Sequence, residues 1–109
     1  MLRRYLVVLA LWAPLAQAAD WSGRVTAIEA MTVSRAVLFS LSGELKGASR
    51  CNEYGMYAID LSAPGGEALF DLLMHAYIHD LEVEAESLNT CAVYWKAEGL
   101  KRLRLRKTP

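Results

Sequence analysis

Two histidines and a carboxylate at four-residue spacing are the side chains best suited to bind a metal ion. Asp71, His75 and His79 follow one another at i, i+4 and i+8, so a helix would place them on one face. Imidazole and carboxylate groups on adjacent turns are ligands for zinc or copper. The same pattern is typical of a solvated helix face, and a third strong ligand from another part of the chain is not evident. HExxH is absent, so a metalloprotease is not indicated.

Cys51 and Cys91 are the two cysteines of the chain, and an even pair in an exported chain of this size predicts one disulfide. The bond would close a loop of about 40 residues, which in the chain-entropy model stabilises the folded state by ~4 kcal/mol. The alternative is a redox-active pair, but the C-x-x-C spacing typical of such pairs is absent. A structural disulfide is therefore expected.

Aromatic and amide side chains near both cysteines could form a recognition surface. A disulfide would bring the loop around the second cysteine to the loop before the third predicted strand. Aromatic faces beside amide groups and the Glu53 carboxylate can stack on a sugar and hydrogen-bond to its hydroxyls. The alternative is that the same rings pack into the core, as Trp and Tyr usually do. The residues of this candidate ligand-binding surface are Asn52, Tyr54, Asn89, Tyr94 and Trp95.

Charged side chains alternate in the last two predicted strands. Residues two apart lie on the same face of a strand, so an acidic row and a basic row would face each other across antiparallel neighbours. Each cross-strand pair is worth ~0.2 to 1 kcal/mol. Taken alone, the basic run from Lys101 to Lys107 would also fit a nucleic-acid or heparin patch. We expect pairing between the two rows, which are Glu82, Glu84 and Glu86 in one strand and Arg102, Arg104 and Arg106 in the other.

Signatures of catalysis are scarce in this chain. It has no G-x-S-x-G nucleophile elbow, no glycine-rich phosphate loop and no cysteine left over from the predicted disulfide. The acidic row has a structural explanation in its pairing with the basic row. We therefore expect neither an enzyme nor a bound cofactor.

The first 18 residues have the pattern of a secretory signal. Arginines at positions 3 and 4 precede an apolar run from Tyr5 to Leu15, and small residues ending at Ala18 fit a signal-peptidase site. The run has about 11 residues, whereas a membrane-spanning helix needs roughly 20. A twin-arginine signal is the second choice, because nothing suggests a cofactor inserted before export. Cleavage after Ala18 would leave residues 19–109 as a single periplasmic or secreted domain.

The charge of the mature domain argues against two classes of partner. The whole chain has 12 basic and 12 acidic residues, and cleavage would remove two basic ones, giving a net charge of about −2. Binding to nucleic acid or to anionic lipid depends on a basic surface. We therefore expect neither partner, and no membrane span in the mature chain.

Hydrophobic periodicity predicts five strands and one helix. A two-residue period marks the strands, and apolar residues at i, i+3, i+4 and i+7 mark the helix. The order of strand, strand, strand, helix, strand, strand predicts a mainly β domain that looks like the OB-fold, a five-stranded Greek-key barrel. The alternative is an open α+β sheet with the helix laid across it. The predicted strands are Trp21 to Val33, Arg35 to Ser42, Tyr54 to Leu61, Leu81 to Glu86 and a last one through Leu100, Leu103 and Leu105, with the helix over Gly65 to His79.

The predicted helix is more apolar than one core contact requires. The stripe that starts at Leu69 would face the core. A second apolar flank beside it widens the stripe beyond the ~100° that a one-sided helix needs. Such a flank either meets a partner, including a second copy of the chain, or is buried by a broader intramolecular contact. The candidate self-association flank consists of Phe70, Met74, Tyr77 and Ile78.

A set of residues spread over the domain shares its spacing with one family of exported proteins. The set is Cys51, Ile59-Asp60, Leu72-Leu73, Ala76, Val83 and Cys91. Through it the chain, over about residues 21–106, resembles the small exported OB-fold proteins that include B subunits of AB5 toxins, particularly the subtilase-cytotoxin and pertussis-like types. The resemblance implies a non-catalytic binding module, which in the toxin members binds glycans and forms pentamers. No sugar-binding motif of the family can be assigned to individual residues.

Three functions follow as hypotheses. The first is a secreted or periplasmic binding module that recognises a glycan or a protein partner and self-associates through its helix. The second is a monomeric periplasmic inhibitor that neutralises a partner protein. The third is metal binding through His75 and His79.

Overall fold

Five strands and one helix occur in the predicted order over residues 20–107, the part of the chain that the computed structural model describes. The predicted signal peptide, residues 1–18, lies outside the described residues. Each element begins and ends within a few residues of its predicted bounds. The elements are β1 (Trp21–Ala30), β2 (Ala36–Leu41), β3 (Tyr57–Asp60), α1 (Gly66–His79), β4 (Glu82–Ser87) and β5 (Glu98–Leu105).

The strands close into a barrel in the order β1-β2-β3-β5-β4, and pairing between β1 and β4 completes the ring. Neighbours are antiparallel except β3 and β5, which run parallel and pair through Tyr57 with Glu98 and Ala58 with Gly99. Closure leaves no long unpaired edge of the kind that an open sheet presents. The OB-fold-like barrel is therefore confirmed, and the open α+β sheet is wrong.

Aromatic rings from three strands fill the barrel interior. Trp21, Phe39 and Tyr57 are buried, and the ring centroids of Trp21 and Tyr57 lie 5.0 Å apart in an edge-to-face arrangement. Such pairs contribute about 0.5 to 1.5 kcal/mol beyond the area they bury. The indole N–H of Trp21 donates to the Gly43 carbonyl at 2.7 Å, so its polar atom is satisfied at the barrel rim.

α1 packs against β1, β3 and β5. Leu73 and Ala76 are fully buried, and Leu69 and Leu72 pack against the same cluster while partly exposed. The helix ends where Asp80 adopts the left-handed conformation, with φ 54°. The predicted core stripe is therefore confirmed. Within residues 20–107 there is no helix with the length and apolar character needed to cross a membrane.

A β-bulge changes which residues of β1 face the core. Val25 pairs with Leu41, and Ala27 pairs with Ser40. Two residues along β1 therefore match one residue along β2, so β1 carries one extra residue at this point. Ile28 consequently packs against the core cluster. Val33, which strict alternation would place with Val25, lies in the turn after β1 and is 89% exposed.

The outer face of β2 and β3 carries a second, smaller apolar cluster. Leu38 and Ala58 are fully buried there, although they point away from the barrel interior. The chain between β4 and β5 (residues 88–97) folds over this face and supplies Val93, Tyr94 and Ala97. This segment, which also contains Trp95, therefore lies on the outside of the barrel.

Candidate recognition surface

The predicted disulfide joins the two longest loops of the barrel. Cys51 lies in the β2–β3 loop (residues 42–56) and Cys91 in the β4–β5 loop (residues 88–97), and their Cα atoms are 6.1 Å apart. No free cysteine remains in the described part of the chain. The disulfide is confirmed, and it holds the two loops side by side at one end of the barrel.

Glu98, the first residue of β5, is almost fully buried and links the same two loops. Its Oε1 accepts hydrogen bonds from the Ser49 N–H and the Asn52 side-chain amide, each at 3.0 Å. Its Oε2 accepts one from the Ser87 hydroxyl at 2.5 Å, and the Ser87 Oγ accepts one from the Asn89 N–H at 2.7 Å. A carboxylate is stable inside a protein only when donors surround it in this way. Glu98 is therefore a structural acceptor between the loops.

Glu98 is not among the residues predicted to be functional or structural. The available signal was its position two residues before Leu100. That spacing places an acidic side chain on the core-facing side of the strand. A charged residue in such a position is almost never fully buried unless it is paired or hydrogen-bonded.

The two predicted asparagines help to hold the loops. The Asn52 amide is used at both ends, because its Nδ2 donates to Glu98 and its Oδ1 accepts from the N–H groups of Gly55 and Met56. Asn89 adopts the left-handed conformation, with φ 64°, and its carbonyl accepts from the Ser49 hydroxyl. Short polar side chains favour such turn positions. Asn52 thus uses its amide within the fold, and its contact with a ligand stays a prediction.

The predicted aromatic residues do come together on the outside of the joined loops. Trp95 is 65% exposed and Tyr54 47% exposed. The Lys96 ammonium lies 4.2 Å from the Trp95 ring centroid and 5.9 Å from that of Tyr54. Glu53 Oε1 is 3.5 Å from the same ammonium. We call Glu53, Tyr54, Trp95 and Lys96 the aromatic patch.

Tyr94 supports the aromatic patch from below. Its ring centroid lies 6.0 Å from that of Tyr54, and its hydroxyl donates to Met31 Sδ at 3.6 Å. Tyr94 is partly buried in the outer apolar cluster. Backbone hydrogen bonds hold the other side, because the Tyr54 N–H donates to the Lys96 carbonyl and the Glu53 N–H to the Cys51 carbonyl. The patch thus rests on a fixed backbone.

The outer face of β2 and β3 is the face through which OB-folds bind oligonucleotides and oligosaccharides, together with the neighbouring loops. In this chain the β4–β5 loop covers that face, burying Leu38 and Ala58 beneath Val93 and Ala97. A ligand therefore cannot lie on the strands themselves without displacing the loop. Trp95 is exposed on the outward side of the same loop.

The predicted metal site is not formed. His75 and His79 do lie together, with ring centroids 4.5 Å apart, and both are exposed on α1. Asp71 does not join them, because over residues 20–107 no group of three His, Cys, Asp or Glu side chains is arranged to hold a metal ion. The alternative of a solvated helix face is the one that the structure supports.

The structure divides the predicted self-association flank. Phe70 packs against the barrel core and Met74 is partly buried. Tyr77 and Ile78 remain exposed, Ile78 by 68%. The broader intramolecular contact thus accounts for the first half of the flank, and only the last turn of α1 is free to meet a partner.

The acidic and basic rows pair through Glu84 and Glu86, whereas Glu82 has no arginine within ion-pair distance in residues 20–107. Arg102 contacts Glu86 at 3.5 Å, and Glu84 contacts both Arg104 at 3.6 Å and Arg106 at 2.8 Å. All three guanidinium groups remain about half exposed, so these contacts are worth little individually. The pairing gives the three arginines of the basic run a structural role.

The displaced pKa values of Tyr57 and Asp60 have structural causes. Burial raises the pKa of the Tyr57 hydroxyl, and the Asp20 and Glu98 carboxylates raise it further. Hydrogen bonds from the side chain and the N–H of Ser62 lower the pKa of Asp60 and close the turn after β3. Neither shift requires a catalytic explanation.

Comparisons with protein-family models, with curated proteins and with solved structures find no match to this chain. The resemblance to toxin B subunits therefore stays a prediction. The chemistry of the aromatic patch and of the last turn of α1 carries the inference of function.

Proposed function

We propose that this chain is a periplasmic or secreted, non-catalytic binding module that recognises a glycan or a protein partner through the aromatic patch. The observation that carries the proposal is Trp95, a large ring that is 65% exposed on loops held by a disulfide. Export of residues 19–109 after cleavage at Ala18 is part of the proposal. The disulfide supports it, because such bonds persist in oxidising compartments.

A rigid exposed aromatic ring is well suited to recognition. Binding loses free energy whenever loops and side chains must be ordered, and prior ordering reduces that loss. Here the disulfide, Glu98 and the Asn52 amide order both loops before any ligand arrives. Tryptophan and tyrosine are also the residues most enriched among those that dominate binding energies.

Replacement of Trp95 tests the proposal. We expect Trp95→Ala to weaken binding to a glycan array or to a partner protein by at least about tenfold, as for a central aromatic contact. Folding should be unaffected, because the ring is exposed. Glu29→Ala, at an exposed position of β1, is the control and should bind like the wild type. Binding that is indifferent to Trp95→Ala would contradict the proposal.

Self-association through the last turn of α1 is a second part of the proposal. Tyr77 and Ile78 leave an apolar surface next to the exposed His75 and His79. We expect light scattering on the oxidised mature chain to show an oligomer at micromolar concentration, and Ile78→Glu to shift it toward the monomer. A strict monomer would remove this part of the proposal and would favour the monomeric inhibitor of a partner protein.

A further inference from the structure

We propose that the aromatic patch binds a neutral pyranose sugar in preference to an acidic one. The inference rests on the proposed function and adds the class of ligand. Its basis is the arrangement of charge around the exposed rings, in which a cation and an anion are already paired.

One face of Trp95 is occupied and the other is open. Lys96 places its ammonium 4.2 Å from the ring centroid, which covers one face. Because 65% of the residue is nevertheless exposed, we infer that the opposite face is available to a ligand. Aromatic faces carry partial negative charge. The weakly positive C–H groups of a pyranose face match that open surface.

The patch disfavours ligands of either charge. A cationic ligand on the open face of Trp95 would be repelled by Lys96 across the ring, since both cations would draw on the π electrons of one ring. An anionic group that approaches Lys96 would also meet the Glu53 carboxylate, 3.5 Å from the ammonium. Like charges brought together at an interface oppose binding. A neutral ligand escapes both penalties.

The same ion pair supplies what sugar hydroxyls need. An ionised carboxylate offers about four acceptor positions and an ammonium three donors, so both keep capacity beyond their mutual contact. The Glu53 side chain is 64% exposed and accessible to a ligand. A hydroxyl can donate to Glu53 and accept from Lys96 while the sugar ring stacks on Trp95. The Glu53 N–H and Tyr54 N–H bonds keep these groups in place.

The test uses neutral oligosaccharides immobilised beside the same oligosaccharides ending in a carboxylated sugar. We expect the wild-type chain to bind at least one neutral member about tenfold more strongly than its acidic counterpart. In solution, tryptophan emission should change on binding, because Trp21 is buried and Trp95 is the exposed tryptophan of residues 20–107. Trp95→Ala should abolish both signals.

The carboxylate of Glu53 provides the sharper test. Glu53→Gln removes the repulsion but keeps the shape, so we expect the ratio of neutral to acidic binding to fall by about tenfold. Glu44→Gln, the same change at an exposed position of the same loop, should leave the ratio unchanged. Preference for the acidic sugars, with loss on Trp95→Ala, would overturn the inference and leave the proposed function intact. If no oligosaccharide binds, the inference is also overturned, and the protein-partner form of the proposed function remains to be judged by Trp95→Ala.

Discussion

The double variant Cys51→Ser/Cys91→Ser is expected to lose about 4 kcal/mol of its free energy of unfolding relative to the oxidised wild-type chain. The bond spans 40 residues, and releasing a loop of that length increases the conformational entropy of the unfolded chain. Small domains have a total free energy of unfolding of about 5 to 15 kcal/mol. The variant should therefore unfold at a much lower temperature, as measured by circular dichroism.

Serines placed beside the cysteines provide a matched control. Ala48→Ser/Ala92→Ser makes two polar changes at exposed positions of the same two loops. It should leave the midpoint temperature of unfolding unchanged. Reduction of the wild-type chain should reproduce the loss seen in the cysteine variant. If reduction leaves the unfolding curve unaltered, the disulfide does not stabilise the domain as we expect.

Strand alternation predicted β4 and β5 well, because each has one face in the core and one in water. Val83 and Ala85 are buried, while Glu84 alternates with them and pairs with the basic row. Helix periodicity worked for the same reason, since Leu73 and Ala76 face the barrel. One-sided burial leaves a regular pattern in the sequence, and the element order then restricts the topology to few arrangements.

The same reasoning failed where a third segment covers a strand or where the register shifts. Alternation places Leu38 on the side of β2 away from the core, yet the β4–β5 loop buries it completely. The bulge in β1 moves Ile28 inward, and Val33 lies in solvent because β1 has already ended in a turn. Both depend on contacts between distant parts of the chain, which a local period does not record.

The grouping of the candidate recognition residues was predicted, but the contacts of their polar side chains were not. The cysteine pair correctly brought Tyr54 and Trp95 to one place. Asn52 was assigned to the ligand because its type suits hydrogen bonding, whereas the fold uses its amide to hold the loop. Lys96 was not singled out, because its position over the rings follows from side-chain geometry and not from spacing.

A second large effect is expected at Glu98, where replacement by alanine should lower the free energy of unfolding by about 3 kcal/mol. The change leaves the Ser49 N–H, the Asn52 amide and the Ser87 hydroxyl without their acceptor. Buried donors that lose their partner are more destabilising than the average net worth of a hydrogen bond. Urea unfolding measures the loss, and Glu29→Ala, at an exposed position of β1, is the control.

Glu98→Gln separates the charge of the side chain from its shape. The amide keeps one acceptor oxygen, but its NH2 group faces a donor where the second carboxylate oxygen accepted, so we expect a smaller loss than for alanine.

A double-mutant cycle that combines Glu98→Ala with the cysteine variant adds a further check, because Glu98 and the disulfide join the same two loops. Once the disulfide is gone, the loops are freer to move and the buried donors can reach water, so the two losses should not add, with a coupling of about 1 kcal/mol or more. Strict additivity would mean that Glu98 stabilises the barrel independently of the loops that carry Trp95, and the aromatic patch would then owe its rigidity to the disulfide alone.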